Sequence, residues 1–168
     1  MQGMCVRVCL LFACMLPLVS CFQSVNPKER DYPGYKMAPY TVKGQRIVPM
    51  TVDQALHYQA VGICSHYDET SFFGLCSGKT ALGEDVKSYH EHAAHRTLPL
   101  PCKIRVTSCR TGRSIVLRVN DRGPFVKGRL LDISSAAAKK LGFRERGLDK
   151  VYVEVLSVGD GKWERRRG

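Results

Sequence analysis

Apolar residues in this chain occur in short runs separated by turn-forming residues, and from residue 44 onward these runs predict β-strands. The clearest run is residues 114–120, where Ile115, Leu117 and Val119 share one face, as in a strand with one buried side. Other runs of strand length occupy residues 47–49, 61–64, 104–107, 129–133 and 151–158. Short strands at irregular spacing predict a mainly β domain that forms a small barrel.

Helical signals are few. Residues 135–141 predict a helix, because Ser134 is a favourable N-cap, three alanines follow, and Gly142 is a typical terminator. Residues 53–59 predict a second short helix. The chain shows no internal repeat and no heptad pattern.

The N-terminal residues 1–20 resemble a secretion signal. Arg7 is their only charge, residues 8–19 are almost wholly apolar, and small Ser20 precedes Cys21. The apolar run is too short for a comfortable membrane span. Its ending, Leu-Val-Ser-Cys, resembles a bacterial lipobox, which predicts that Cys21 is acylated and becomes the first mature residue. The alternative is an ordinary signal that is cleaved nearby.

Residues 22–43 are rich in Pro, Tyr, Gly and Lys without a helical or strand period, which predicts a tether. Its tyrosines, Tyr32, Tyr35 and Tyr40, are candidates to dock on the domain. Phe22, rather than an aspartate, follows the cysteine. By resemblance to lipoproteins, this favours an outer-membrane anchor with the domain facing the periplasm. The predicted regions are a signal peptide at 1–20, a lipidated tether at 21–43, a barrel domain at 44–158 and a basic tail at 159–168.

The chain is basic, with a formal net charge of +11. Loss of Arg7 with the signal would leave +11 less 1, or +10. Outside the cytoplasm such a protein meets anionic envelope polymers and lipid head groups. Nucleic-acid binding is not expected, because Phe125 is the only aromatic residue near the arginines of residues 110–122. The charge points to a cell-wall polyanion, or equally to a plain solvated face.

Four of the eight cysteines lie beyond Cys21, at Cys64, Cys76, Cys102 and Cys109. In an exported domain they predict two disulfides, for which three connectivities exist. A bond between Cys102 and Cys109 is excluded, because a strand of seven residues separates their Cα atoms by about 23 Å. A disulfide needs Cα atoms within about 7 Å. The other two connectivities remain open, and the absence of Cys-x-x-Cys spacing argues against zinc.

Asp121 directly follows the strand at 114–120 and precedes Arg-Gly-Pro, which ends regular strand pairing. This arrangement presents one carboxylate at the end of a strand. An aspartate in such a turn is more often a turn former whose carboxylate bonds to nearby backbone amides.

Two further segments carry candidate polar groups. Residues 78–84 form a glycine-punctuated loop that ends in Glu84, and residues 93–101 place His95 before a proline-rich bend. The first segment lacks the context of a phosphate loop, and the histidines lack zincin spacing. No metal or cofactor is therefore expected.

Seven short motifs occur in an order that resembles the bacterial rare lipoprotein A family. They are GICSHY at 62–67, TALGE at 80–84, AAHRTLP at 93–99, VT at 106–107, GRS at 112–114, VNDRGPF at 119–125, and DIS at 132–134 with AAA at 136–138 and LG at 141–142. Each motif alone is a weak signal, whereas all of them in the correct order are specific. The match runs from about residue 40 to residue 156.

The resemblance implies a six-stranded double-psi β-barrel and, in many members, a metal-independent lytic transglycosylase that acts on the glycan strands of peptidoglycan. In that reaction an acid protonates the glycosidic oxygen. The 6-hydroxyl of N-acetylmuramic acid then attacks the anomeric carbon and leaves a 1,6-anhydro end. Carried over motif by motif, Asp121 would be the acid/base, Glu84 a second active-site carboxylate, and His95 a positioning or charge-stabilising partner. The expected substrate contacts are Tyr67, Asn120 and Arg122.

The resemblance also predicts geometry. We expect the side chains of Asp121, Glu84 and His95 to lie within about 10 Å of one another and to be partly accessible. Arg122 should turn away from Asp121, because a guanidinium beside the acid would favour its charged form.

The same resemblance suggests a disulfide pattern. In expansins, which share the double-psi β-barrel, the loops equivalent to those before Glu84 and after His95 are cross-linked beside the groove, which implies a bond between Cys76 and Cys102. Cys64 would then pair with Cys109.

The chain departs from the family pattern at residues 66–68, where His-Tyr-Asp replaces the usual Trp-Tyr-Gly. This difference puts an aromatic platform for a sugar ring in doubt. No separate glycan-binding repeat domain is expected after the barrel, so the anchor at Cys21 would localise a monomeric protein. Two other functions remain open: a noncatalytic peptidoglycan-binding or wall-loosening protein, and a structural envelope lipoprotein.

Overall fold

The computed structural model describes residues 36–67, 78–85 and 90–165. Its strands are β1 (Tyr40–Val42), β2 (Gln45–Ile47), β3 (Gln59–Tyr67), β4 (His92–Ala94), β5 (Cys102–Ser108), β6 (Ser114–Asp121), β7 (Arg129–Ser134), β8 (Leu148–Val158) and β9 (Trp163–Glu164). The helices are α1 (Val52–Leu56) and α2 (Ser135–Leu141), and Arg144–Arg146 form a 3-10 turn.

Six strands close into a barrel in the order β3-β7-β4-β6-β5-β8, and pairing of β3 with β8 completes the ring. The β3–β7 and β4–β6 pairs are parallel, and the other pairs are antiparallel. The β1–β2 hairpin lies outside the ring, and β9 extends it beside β8. The prediction of a mainly β, six-stranded barrel with short helices is confirmed.

Alternating apolar residues of the long strands fill the barrel. Ile104 and Val106 of β5 face the interior with Leu117 and Val119 of β6, and all four are essentially inaccessible to solvent. Burial of each such side chain contributes about 1.5–3 kcal/mol relative to exposure. This packed core therefore fixes the positions of the strand ends, which carry the polar residues described below.

Both helices have an N-cap residue whose side chain accepts a hydrogen bond from the first turn. Ser134 Oγ accepts a hydrogen bond from the Ala137 amide at 3.3 Å, and Gly142 ends α2 with a φ of 83°, which confirms the helix predicted at 135–141. The other helix, α1, begins after Thr51, which forms a capping box with Gln54. It ends at Leu56, earlier than predicted, because the chain must enter β3 at Gln59.

Two strand predictions need correction. The sixth barrel strand, β4, was not predicted, because its sequence is only His-Ala-Ala and all three residues are buried, so it has no apolar–polar alternation. It is held between β6 and β7 by pairing on both sides. The run at residues 47–49 contributes only Ile47 to a strand, and that strand lies outside the barrel.

The last residues of the stretch assigned to the tether are structured. Tyr40–Val42 form β1, which pairs with β2 through a turn at Lys43 and Gly44. Lys36 pairs with Leu100, and the Tyr40 hydroxyl donates a hydrogen bond to the Arg96 carbonyl at 2.7 Å. This part of the chain therefore packs on the barrel. The proposed signal peptide, Cys21, Tyr32 and Tyr35 lie outside the described residues.

The expected pairing of Cys64 with Cys109 is wrong. Cys64, Cys102 and Cys109 are free thiols in the described structure. Cys64 pairs with Asp149 on one edge of β8, whereas the Cys109 amide bonds to Lys150 on the other edge. Two strand spacings, about 10 Å, separate the two cysteines, which is too far for a disulfide. Cys76, the expected partner of Cys102, lies outside the described residues.

In the ranges 36–67, 78–85 and 90–165, no helix has the length and apolar character needed to span a bilayer.

Candidate active site

Asp121 is the last residue of β6 and lies at one end of the barrel. Its Oδ1 accepts hydrogen bonds from the backbone amides of Ala81 and Arg122, each at 2.8 Å. The side chain is partly exposed, and among the described residues no donor bonds to its Oδ2. One carboxylate oxygen is therefore fixed, and the other is available for chemistry.

The loop that carries Glu84 folds across this strand end. Its turn is closed by hydrogen bonds from the Thr80 amide to the Glu84 carbonyl at 2.9 Å and from the Gly83 amide to the Thr80 carbonyl at 2.8 Å. Gly83 has a φ of 83°, a conformation that favours glycine. The Leu82 amide bonds to the Asn120 carbonyl at 3.3 Å. The bond from Leu82 and that from Ala81 to Asp121 attach the loop to β6.

The Glu84 carboxylate is fixed by β6 itself. Arg118 Nη1 lies 2.7 Å from both Glu84 oxygens, and Asn120 Nδ2 donates to Oε2 at 2.8 Å. The same guanidinium also binds Asp160 at 2.7 and 2.9 Å.

This network decides the protonation state of Glu84. Burial alone would raise the pKa of Glu84, but the hydrogen bonds from Arg118 and Asn120 and the charge of Arg118 outweigh it, so the pKa lies below its usual value. Glu84 is therefore negatively charged near neutral pH. It cannot serve as the proton donor.

His95 lies next to Asp121 but does not face solvent. The residue is only 3 % exposed, so the expectation of partial accessibility is wrong for His95. Its backbone amide donates to the Asp121 carbonyl at 3.1 Å. The ring accepts hydrogen bonds at Nδ1 from the amides of Thr97 and Leu98, at 3.2 and 3.0 Å. The ring is directed inward, and its Nδ1 is the acceptor for these two backbone amides of the bend.

The environment of His95 keeps its ring neutral. Burial, followed by the charges of Arg122 and Arg96, lowers the pKa of His95 to about 3. Because Nδ1 accepts hydrogen bonds, the proton resides on Nε2, which lies 3.2 Å from the Tyr58 hydroxyl. A neutral, enclosed imidazole can hold the bend in place, but it cannot stabilise an anion by its charge.

Arg122 turns away from Asp121, as expected. Its guanidinium donates to the carbonyl of Leu98 and, at 3.0 Å, to that of Lys36. It also lies 5.2 Å from the centre of the Tyr40 ring. Arg122 thus connects the 95–98 bend to the segment before β1, and the prediction that it contacts substrate is not supported by this orientation.

The other two expected substrate contacts are also directed inward. Asn120 is 7 % exposed and donates to Glu84. The Tyr67 hydroxyl is buried, and the Tyr67 ring lies 5.5 Å from that of His92. Asn120 lines a pocket beside Glu84 and holds that carboxylate, whereas the Tyr67 hydroxyl is enclosed by the protein.

Sequence reasoning did not assign a role to Asp132 or His92. Ala94 of β4 pairs with Asp121 on one side and with Asp132 on the other, which brings both carboxylates to the same barrel end. Burial raises the pKa of Asp132, opposed by a hydrogen bond from Ser65 and by the charge of Arg129. A lone aspartate between the apolar residues Leu131 and Ile133 was the available signal.

His92 is buried close to the carboxylates of Asp121 and Glu84. Burial lowers its pKa, while its hydrogen bond to the His90 carbonyl and the charges of Asp121 and Glu84 act in the opposite direction. The sequence suggested only a metal-ligand role for His92, which its spacing argued against, because β4 was not predicted as a strand.

Residues 59–153 match the protein family described as lytic transglycolase. The match spans over half of the chain and includes the whole barrel except the end of β8. The chain belongs to this family. Its barrel is accordingly the double-psi β-barrel that the motifs implied.

One relative is the "Endolytic peptidoglycan transglycosylase RlpA" of Pseudomonas aeruginosa, which is 46% identical over 133 residues, or 79% of this chain and 37% of the relative. The protein of the same name from Haemophilus influenzae is 40% identical over 71% of this chain and 40% of its own length. This chain thus spans less than half the length of either relative. Among solved structures, Streptomyces papain inhibitor is similar with a TM-score of 0.47 and 19% identity, over 59% of this chain and 94% of that chain.

Proposed function

We propose that this protein is a lytic transglycosylase that cleaves the glycan strands of peptidoglycan and leaves 1,6-anhydro-N-acetylmuramic acid ends. The observation that carries the proposal is the pair of carboxylates at one barrel end. Asp121 keeps one oxygen without a donor among the described residues, and Glu84 is held charged beside β6. The family membership and the relatives' names support the same substrate.

In the proposed reaction, protonated Asp121 donates its proton to the glycosidic oxygen as the bond from that oxygen to the anomeric carbon breaks. The 6-hydroxyl of the same N-acetylmuramic acid then attacks the anomeric carbon. Its proton returns to Asp121, so the acid is regenerated and no water is consumed. The fixed negative charge of Glu84 stabilises the positive charge that develops on the sugar ring.

The residues around the acid act by positioning. His95 holds its bend through two backbone amides, and the bend holds the Asp121 backbone. Arg118 and Asn120 hold Glu84. A positioned acid/base contributes roughly 10² to 10⁴ in rate, so the remaining acceleration must come from orientation and charge stabilisation.

Product analysis tests the proposal. The full chain is incubated with purified sacculi, and the released fragments are identified by mass spectrometry. We expect 1,6-anhydro ends. Ordinary reducing ends would show hydrolysis instead, and binding without any cleaved product would contradict catalysis.

Binding without cleavage is the second candidate function. The two backbone amides that bond to Asp121 Oδ1 are also what a purely structural turn aspartate receives. On this alternative the barrel is a noncatalytic peptidoglycan-binding module, and sacculi would retain the protein without release of fragments.

We also propose that Cys21 is acylated and anchors a monomer to the outer membrane, with the barrel in the periplasm. The support is the sequence Leu-Val-Ser-Cys at the end of the apolar run. Labelled palmitate should be incorporated into the wild-type chain and not into Cys21→Ala. Equal labelling of both would refute the anchor at Cys21.

A further inference from the structure

A groove lies between the β1–β2 hairpin and the turn that follows Asp121. Its volume is about 380 Å³. Val42 and Ile47 of the hairpin supply its apolar lining, and Phe125, a residue that is 41 % exposed, supplies an aromatic face. The groove therefore offers an apolar surface suited to a sugar ring.

The charged residues of this groove are all cations. Lys43, Arg96 and Lys127 line it, and no Asp or Glu of the described residues does so. None of the three forms an ion pair within the described part of the chain. The Nε atom of Arg96 is buried and has no hydrogen-bond partner there, although buried donors are nearly always satisfied. The groove is therefore complementary to an anionic ligand.

The groove is connected to the acid through the chain itself. Arg96 follows His95, whose amide bonds to the Asp121 carbonyl, and Phe125 belongs to the turn that begins after Asp121. Tyr40 joins the two sides, since its hydroxyl bonds to the Arg96 carbonyl and its ring packs edge-on against Phe125. A ligand in the groove would thus lie next to the site of cleavage.

We propose that this groove is a substrate subsite that binds a carboxylate-bearing part of the peptidoglycan strand. Lys43, Arg96 and Lys127 bind the carboxylate, and Phe125 packs against the sugar. This proposal rests on the proposed function, because the groove would bind a part of the same peptidoglycan strand that lies beyond the bond being cleaved. Two sources supply this carboxylate in peptidoglycan: the lactyl group of N-acetylmuramic acid when it carries no peptide, and the stem peptide when it is present.

Binding measurements on the full chain in detergent, carried out in the Asp121→Asn background, separate this proposal from catalysis. The probes are soluble glycan strands without peptides, the same strands with peptides, and strands whose carboxylates have been amidated with a carbodiimide. The test proteins carry Lys43→Gln with Lys127→Gln, or Arg96→Gln alone. The matched control for the double variant carries Lys139→Gln with Lys150→Gln, and that for Arg96→Gln carries Lys150→Gln alone. Each control removes the same number of charges from α2 or β8, elements that do not line the groove.

At low salt we expect each groove variant to bind unmodified strands at least about fivefold more weakly than its control, because charge attraction at an exposed site is largest there. Amidated strands should bind weakly and equally to all proteins. Tighter binding of peptide-free strands would assign the lactyl carboxylate, and tighter binding of peptide-bearing strands the stem peptide.

Equal affinities of the groove variants and their controls, or no effect of amidation, would overturn the subsite. Either result leaves the test for 1,6-anhydro products unaffected. A failure of the subsite is therefore distinguishable from a failure of the proposed reaction.

Discussion

Replacement of Asp121 by Asn should reduce glycan cleavage by roughly 10² or more while binding to sacculi persists. Asparagine keeps the shape of the side chain and an oxygen that can accept from the amides of Ala81 and Arg122. The amide cannot protonate the glycosidic oxygen or take up the proton of the 6-hydroxyl, as a carboxyl group does. The measurement is the rate of release of 1,6-anhydro products, with binding followed by sedimentation with sacculi.

Asp53→Asn is the matched control, because it makes the same chemical change at an exposed position of α1. It should cleave at the wild-type rate. Unchanged cleavage by Asp121→Asn would exclude Asp121 as the acid, whereas loss of both cleavage and binding would indicate a damaged fold.

The second large effect concerns stability. In His95→Leu the amides of Thr97 and Leu98 lose their acceptor, and an unsatisfied buried donor costs about 1–3 kcal/mol. We expect the free energy of unfolding at pH 7 to fall by roughly 2–4 kcal/mol, measured by urea denaturation. His57→Leu, at an exposed histidine, should be close to wild type, and equal stability of the two variants would contradict the assigned role of His95.

The same histidine should make the wild-type protein sensitive to acid. Burial holds the pKa of His95 at about 3 in the folded state, against an ordinary value of 6.5. Below pH 6.5 the unfolded chain therefore binds a proton that the folded chain excludes. The stability that His95 contributes is present above pH 6.5 and decreases as the pH falls towards 3, by about 1.4 kcal/mol per pH unit.

Comparison of wild type with His95→Leu isolates this effect, because other titrating groups are common to both proteins. The wild type should lose more stability than the variant between pH 6.5 and pH 5. Parallel loss in both proteins would show that His95 does not bear the proton linkage.

The sequence alone identified most of the barrel. Residues 114–120 were recognisable because one face of β6 is buried, which imposes alternation, and α2 was recognisable from its cap and its terminating glycine. The short strand β4 was not, because a three-residue strand buried on all sides has no pattern of its own. Its conformation is set by its neighbours β6 and β7.

In the candidate site, too, some features were recognisable from the sequence and others only from the folded structure. Motif order led to Asp121 and Glu84, which local sequence places at a strand end and in a glycine turn. It misjudged the accessibility of His95, because the burial of a side chain depends on which groups of the folded chain surround it. For the same reason motif order assigned substrate contacts to Asn120 and Arg122, whose side chains bond to Glu84 and to backbone carbonyls in the folded chain.

The sequence by itself therefore indicated the barrel class through the order of its motifs. It indicated the long strands, the helix and the turns that carry the two carboxylates through residues close together along the chain. Tertiary structure alone decided that Glu84 is held charged by Arg118, that His95 is buried and neutral, and that Cys64 and Cys109 lie on opposite edges of β8. It also formed the cationic groove, whose residues come from three separate segments. The physical reason is that hydrogen-bond partners, burial and local charge are properties of the closed barrel, which brings residues far apart in sequence into contact.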